Sequence, residues 1–355
     1  MEIIPSYSLL EHNTFRVEAK AQWWIAYRDI EDLKKLAKDE YFETLSFINL
    51  GLGANTLFLG DYKGAVLHSQ ITSIEEVGVI DSSMSSDSTP SHLIRVGSGV
   101  VWDEFVAETI ARGFYGLENL SGIPASVGAA IVQNIGAYGS EVGHYVEEIE
   151  AFDLGTGKVL RLCAEEAQFG YRSSLFKTPQ YDKVVITHVT FRLSTKPQPN
   201  LTYRALAEAF EGVVAPTPLE VRHKVLTIRG SKLPKVEEYP NAGSFFKNPL
   251  VSQEKFESIQ KEFSSVPHWL SPNGDPNVKL SAAWLIDQAG YKGKRIGSVG
   301  CYPLQPLVIV NYGTPLGKEI LFFSEKVKHA VRERFGIELE PEVRMVGTLH
   351  DNGEK

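Results

Sequence analysis

The chain has 355 residues, 43% of them hydrophobic and 23% charged, with a formal net charge of −8 at pH 7. That length exceeds one ordinary core and predicts two or three domains, while the acidic balance argues against nucleic acid or an anionic membrane as partner. No apolar run reaches the roughly eighteen residues of a membrane span, and residues 1–10 lack a basic start leading into an apolar core, so a cytoplasmic protein is expected.

Cysteine and histidine usage narrows the chemistry. Cys163 and Cys301 are too few for a disulfide framework, sit in no Cys-x-x-Cys pair, and read as buried thiols. The nine histidines show no zinc-chelating spacing, so no metal is expected. The G-x-S-x-G elbow of an α/β-hydrolase is missing from the sequence.

In chain order, Asn13-Thr-Phe15 opens the ordered part, and the spacing of Ile30, Leu33, Leu36 and Ala37 predicts a helix over 29–41. Residues 47–50 read as a short strand, followed by Gly51-Leu-Gly-Ala-Asn-Thr56 and a second strand at 57–59. Two glycines after a strand resemble the start of a dinucleotide fingerprint, but Thr56 stands where the third glycine belongs and no helix follows. The loop is either a glycine-rich hairpin or a nest whose N–H groups, with the Asn55 amide, hold a diphosphate. Residues 81–90 are polar and of low complexity, and a mobile surface loop is expected there. A strand is predicted at 93–96 and a helix at 102–112, with Trp102, Phe105, Val106 and Ile110 on one face and Gly113 at its end.

The stretch from Glu118 through Gly139 is crowded with glycine and other small residues, a poor core element and a good surface for close backbone approach by a flat, polyanionic cofactor. Strands at 146–152 and 158–162 flank Leu154-Gly-Thr-Gly157 as a hairpin. Arg172 follows a glycine and a tyrosine, where it is either a surface arginine or a fork for a carboxylate. After a strand at 184–193, the proline-containing loop 197–203 ends at Tyr203, which either folds over a ligand or anchors the loop. Gly230 and Pro234 mark a boundary over 227–234.

Beyond it lies Asn241-Ala-Gly-Ser-Phe-Phe-Lys-Asn-Pro249, which sets a hydroxyl, an ammonium and two carboxamides among small residues. It reads either as an ordinary turn or as a reactive one, in which Gly243 lets a ligand approach Ser244 while Phe245 and Phe246 wall one side. Helices are predicted at 252–263, 280–289 and 320–335, the last two stopped by Gly290 and Gly336, with a strand at 307–310, a pattern suiting a compact α+β domain. Residues 337–345 alternate strictly as a final edge strand carrying Glu338, Glu340, Glu342 and Arg344 on one face. A frayed tail is expected from Thr348.

Taken together, Asn13-Thr-Phe15, Gly51-x-Gly-x-Asn55, Ile123-Pro124 with Val127-Gly128, Gln133-Asn-Ile-Gly-Ala-Tyr-Gly139, Phe169-Gly-Tyr-Arg172, the 241–249 motif and Leu339-Glu-Pro-Glu-Val-Arg344 resemble the MurB family. These are the bacterial UDP-N-acetylenolpyruvoylglucosamine reductases of peptidoglycan precursor synthesis. The resemblance spans nearly the whole chain in the family's order. It implies an α+β protein with a vanillyl-alcohol-oxidase-type (PCMH-type) two-part FAD-binding fold and a C-terminal MurB-type substrate domain. The implied division is 1–71 with the returning segment 336–355, then 72–233, then 234–335. Bound FAD, NADPH as co-substrate, a UDP-sugar enolpyruvyl ether as substrate and a monomeric state are implied as well.

The resemblance also assigns residues. Ser244, Arg172 and Glu342 would be catalytic: Arg172 takes the substrate carboxylate, Glu342 polarises it in protonated form or through a cation or water, and Ser244 protonates the α-carbon. Gly51, Gly53, Ala54, Asn55, Thr56, Ile123, Pro124, Gly128, Ala129, Asn134 and Gly136 would hold the flavin. Tyr138, Tyr203, Lys232, Asn248 and Gln305 would hold the substrate, with Tyr203 marking the longer subtype in which that tyrosine closes over it. Three features depart from the family pattern: Ala54 stands for the usual serine, Ala125 for the usual glycine, and the 82–91 insertion is atypical. Two other readings stay open: an alcohol or hydroxy-acid oxidase of the same fold, which would not need the Ser244 turn, and a flavin-free UDP-sugar-binding protein, which would not need the glycine-rich stretches.

Overall fold

The computed structural model describes residues 1–80, 90–270 and 276–347. Residues 81–89 of the expected mobile loop, most of the 82–91 insertion and the tail from Thr348 fall outside the described residues. Two compact units form: Met1–Tyr7, Ala21–Leu52 and Lys63–Ser231 make the first, and Ser8–Lys20, Gly53–Tyr62 and Lys232–Lys355 the second.

The first unit holds an antiparallel sheet with spatial order Lys158–Cys163, Val146–Asp153, Val184–Ser194, Ser91–Gly97, Ile74–Ile80. Alternation puts Ile94, Val96, Ile149, Val189 and Phe191 on its inner face, against Trp102, Phe105 and Val106 of helix Trp102–Ala111 and Val127 and Ile131 of helix Val127–Gln133. The 154–157 hairpin forms as expected, its turn tied by Asp153 Oδ1 accepting from the Gly155 N–H at 2.8 Å. A smaller sheet, ordered Glu2–Ser8, Lys20–Tyr27, Tyr62–Ser69, Phe47–Asn49, packs Ile25, Ala65 and Leu67 against Leu33 and Leu36.

In the second unit the strands Asn241–Ser244, Val308–Asn311, Val299–Cys301 and Arg295–Ile296 form one sheet. Beside it run the helices Gln253–Glu262, Ala282–Gln288 and Gly317–Phe335. The last buries Ile320, Phe323, Val327 and Val331 and stops at Gly336, as its period predicts. Strand Thr56–Phe58 pairs in parallel with Arg344–Val346.

Several expectations need correction. Order begins at Glu2, since Glu2–Ser8 is already a strand; Pro5 and a mostly exposed burial pattern hid it. The helix expected over 29–41 is broken into Ile30–Leu36 and Glu40–Glu43, because Asp39 accepts from the Tyr41 N–H and starts the second piece. Residues 227–232 continue helix Pro218–Lys232 straight through Gly230, held by buried Val221 and Val225. Leu280 belongs to strand Val278–Leu280, and Ser281 caps the helix that follows. Of the expected final strand only Arg344–Val346 is regular, and Pro341 makes a single bridge to Phe246. Cys163 is exposed, whereas Cys301 is buried with its thiol pushed up to about 12 by burial.

The 118–139 stretch differs most from expectation. Far from being a poor core element, it contributes Leu120, Val127, Ala130 and Ile131 to the core at 0% exposure. Its small residues serve protein packing: Gly128 donates its N–H to Ser98 O at 2.9 Å, and a Cβ there would lie 2.9 Å from Ser98 Cβ.

Candidate active site

In the second unit the 241–249 motif is built from a strand with a bulge. Asn241 opposes Val310 and Ser244 opposes Val308, so three steps on one strand match two on the other. Gly243, at φ +69°, supplies the left-handed residue that such a bulge requires. The Asn241 side chain locks it: Oδ1 accepts from the Gly243 N–H at 2.8 Å and Nδ2 donates to Tyr239 O at 2.7 Å. Apart from its chain neighbours, no atom of the described residues lies within 4 Å of where a Gly243 Cβ would sit, so this side of the turn is open.

Most of the motif's polar groups are spent on structure. Lys247 pairs with Glu340, and Asn248 Oδ1 accepts from the Ala282 N–H at 2.9 Å at the start of helix Ala282–Gln288. Phe245 and Phe246, expected as a wall for a ligand, are 0% and 1% exposed and stack edge to face at 5.0 Å in the core. Ser244 remains, half-buried, its hydroxyl making no hydrogen bond among the described residues.

Glu342 is brought to the same place by its backbone. Its N–H donates to Phe245 O at 2.8 Å and its carbonyl accepts from Asn55 Nδ2 at 3.1 Å, while the Arg344 N–H donates to Asn55 O. The Asn55 amide is therefore committed to the returning segment. The N–H groups of Gly53, Ala54 and Asn55 donate to no described residue. Gly53 sits so tightly that an added Cβ would be 2.0 Å from His12 O, and Thr56 is buried in its strand. Lys232 ends its helix exposed, and Gln305 lies in the turn before strand Val308–Asn311.

The first unit gathers the remaining residues. Arg172, at φ +52°, donates from Nη2 to Gly136 O at 2.7 Å, and its own carbonyl accepts from Lys177 Nζ at 3.0 Å. Asn134 caps helix Val127–Gln133 at φ +43°, with its amide spent on Glu141, Gly170 O and the Gly143 N–H. Tyr138, at φ +49°, meets Tyr203 edge to face at 5.3 Å. Left-handed non-glycine residues are costly and concentrate at functional sites; Asn134, Tyr138 and Arg172 are three of them in one neighbourhood. Tyr203 is 38% exposed and immediately precedes helix Arg204–Ala209. Gly51 packs on the start of helix Val127–Gln133, where a Cβ would lie 2.4 Å from Ser126 Oγ and 3.3 Å from Ala129 Cβ. Ile123 is half-buried and Pro124 exposed.

One group escaped the sequence reading. Arg229 lies on helix Pro218–Lys232, and a Cβ on Gly122 would be 3.2 Å from its Nε. Burial pulls the guanidinium's pKa down, opposed by the charges of Tyr138 and Asp103, and it makes no hydrogen bond among the described residues. The neighbouring Tyr138 phenol is pushed up by burial, with the Arg229 charge opposing. The signal was available: an arginine three residues before Lys232.

Thus Asn55, Glu342 and the Ser244 turn meet in one unit, and Gly136, Arg172, Tyr138, Tyr203 and Arg229 belong to the other. Among the described residues no helix is long and apolar enough to cross a membrane.

A family model described as an FAD binding domain matches residues 22–163, and one described as the C-terminal domain of UDP-N-acetylenolpyruvoylglucosamine reductase matches 235–346. The chain is 44% identical to the UDP-N-acetylenolpyruvoylglucosamine reductase of Porphyromonas gingivalis W83, covering 98% of this chain and 100% of that one. It is 39% identical to that of Bacteroides fragilis YCH46, with 96% and 99% covered. The crystal structure of the Thermus caldophilus MurB reductase superposes with a TM-score of 0.65 over 98% of both chains at 24% identity. The fold is a vanillyl-alcohol-oxidase-type FAD-binding domain followed by a MurB-type C-terminal domain. The chain belongs to the UDP-N-acetylenolpyruvoylglucosamine reductase family.

Proposed function

We propose that the chain reduces the enolpyruvyl ether of UDP-N-acetylglucosamine to the lactyl ether of UDP-N-acetylmuramate with NADPH and bound FAD, as a cytoplasmic monomer. The observation that carries the reading is the Ser244 hydroxyl, set on a glycine bulge and making no hydrogen bond among the described residues, while its neighbours are spent on structure. Reducing an enolpyruvyl group requires hydride at the terminal carbon and a proton at the α-carbon. A serine hydroxyl is a weak acid, yet an enediolate carbon is basic enough to take its proton.

The residues present fit a flavin dinucleotide. The uncommitted N–H groups of Gly53, Ala54 and Asn55 are donors of the kind a diphosphate takes, and the matched FAD binding model covers the elements that carry Gly51, Ile123, Pro124 and Gly136. Gly128, Asn134 and Thr56, buried as they are, serve this site by shaping the backbone, and Ala129 and Gly51 by their close packing. Bound FAD supplies hydride transfer between NADPH and the alkene.

The chain's own residues handle charge and position. Arg172, held by its bond to Gly136 O, forks onto the substrate carboxylate and stabilises the charge that develops there. Glu342 helps polarise the substrate carboxylate. Ser244 Oγ delivers the proton, and Lys232 and the Nδ2 of Asn248, whose Oδ1 is given to the Ala282 N–H, support the alkoxide left behind. Tyr138, Tyr203, Gln305 and Arg229 hold the UDP moiety. The functional division is three-part, with 1–71 and 336–355 joined, then 72–233, then 234–335.

The test is direct. Purified chain that is yellow, is bleached by NADPH under anaerobic conditions and is reoxidised by the UDP-sugar enolpyruvyl ether supports the reading. Reoxidation by oxygen alone, with the UDP-sugar inert, would establish an oxidase instead, and a colourless protein that binds the UDP-sugar would remove the redox role.

A further inference from the structure

Asp103, on helix Trp102–Ala111, joins two segments far from it in sequence. Its Oδ1 accepts from the Gly122 N–H at 2.6 Å and from Arg222 Nη1 at 2.5 Å, and its Oδ2 accepts from Arg222 Nη2 at 2.9 Å. Arg222 lies one helical face along Pro218–Lys232 from Leu226 and Arg229. Those two side chains in turn close over Gly122, where an added Cβ would be 2.8 Å from Leu226 Cδ2 and 3.2 Å from Arg229 Nε. Gly122 is clamped from both sides, by a carboxylate and by the helix that the same carboxylate holds. Arg222 has a side chain only 12% exposed and meets Asp103 through both ends of its fork, the strong form of such a pair. Burial pushes the Asp103 carboxyl up, but Arg222, the Gly122 N–H and the charge of Arg229 together hold it below the usual carboxylate range.

We propose that Asp103 is a positioning residue that couples the flavin side of the reaction to the substrate side: it fixes the turn leading into Ile123-Pro124 and, through Arg222, the helix that presents Arg229 to Tyr138. The proposal rests on the function assigned above. The two arms of the carboxylate are separable. Losing Arg222 frees the helix while Asp103 still accepts from Gly122, so only the substrate side loosens. Losing the carboxylate loosens both.

The experiment measures flavin Kd, kcat, KM for the UDP-sugar and Tm on the full chain for wild type, Arg222→Gln and Asp103→Ala. For Arg222→Gln the expected result is a KM raised about tenfold, mid-range for coupling carried through packed side chains, with flavin Kd within about twofold of wild type. For Asp103→Ala both constants rise about tenfold or more. A fall in Tm with wild-type KM and flavin Kd in Arg222→Gln overturns the proposal, as does an equal rise of both constants in that variant. The Arg222→Gln arm decides the matter even if Asp103→Ala fails to fold. A wild-type chain with no flavin absorbance overturns the functional reading and this inference together, whereas an active wild type with an unaltered Arg222→Gln variant overturns the inference alone.

Discussion

Replacing Ser244 by alanine separates chemistry from structure more cleanly than any other change in this protein. The hydroxyl makes no hydrogen bond among the described residues, and the bulge is held by Asn241 and Gly243, so removing one oxygen from a half-buried side chain leaves the turn intact. Stability should change by less than about 0.5 kcal/mol, as for a site without a named destabilising mechanism. The kinetic cost is of another size. A positioned proton donor contributes about 10²- to 10⁴-fold, equal to roughly 3 to 5 kcal/mol of barrier. Anaerobic stopped-flow spectrophotometry reads the two half-reactions separately. Ser244→Ala should accept electrons from NADPH at the wild-type rate and lose reoxidation by the UDP-sugar by that factor, and Ser244→Cys should recover part of it. Wild-type reoxidation in the alanine variant would refute the reasoning, and a Tm drop of many degrees would show that the hydroxyl holds structure.

Three further outcomes follow from the geometry. Arg172→Lys should slow reoxidation far more than flavin reduction, because a lysine can replace the bond to Gly136 O but not a bidentate fork; equal loss in both half-reactions would assign Arg172 a structural role. Gly53 and Gly243 share a left-handed backbone, at φ +65° and +69°, so alanine costs each about 1 to 2 kcal/mol in strain. Only Gly53 adds a clash, with His12 O, worth about 1 to 3 kcal/mol more; thermal melts should therefore rank Gly53→Ala well below Gly243→Ala, and equal melting temperatures would count against the packing argument. Burial and then the Arg95 charge depress the pKa of His188 beside Glu150. A depressed histidine favours its neutral form in the fold, so its contribution is full above about pH 6.5 and fades as pH falls through the lower folded value. His188→Gln should flatten the Tm profile below about pH 6.5, and an unchanged slope there would dismiss the effect.

What could be read in advance followed the strength of local signals. The long helix Gly317–Phe335, with its period and its stop at Gly336, and the hairpin around Gly155 were legible because side-chain pattern and turn chemistry agree there. Helix Val127–Gln133 was not legible, because alanine and glycine carry little periodic contrast and it is long-range packing on Ser98 and Val189 that makes it a core element. Gly230 in a helix and Leu280 in a strand show the same override of local preference. The site was legible as motifs, and only the fold separated roles within them. Phe245 and Phe246 went to the core, Asn248 to a helix start, and Ser244 alone kept an idle hydroxyl. Arg229 was overlooked because an arginine inside an amphipathic helix looks like any solvated charge until its neighbours are known.

The parallel pairing of Thr56–Phe58 with Arg344–Val346 has a consequence for how the molecule is made. On the ribosome the second unit's early segments emerge long before the partner that completes them, so strand Thr56–Phe58 waits unpaired while almost the entire chain is synthesised. Such a late, distant closure slows folding and leaves an adhesive edge exposed in the nascent chain. A chain ending before Glu342 would lose both that partner and Glu342 itself. It should accumulate as an insoluble product, and one that retains residues through Gly347 should not.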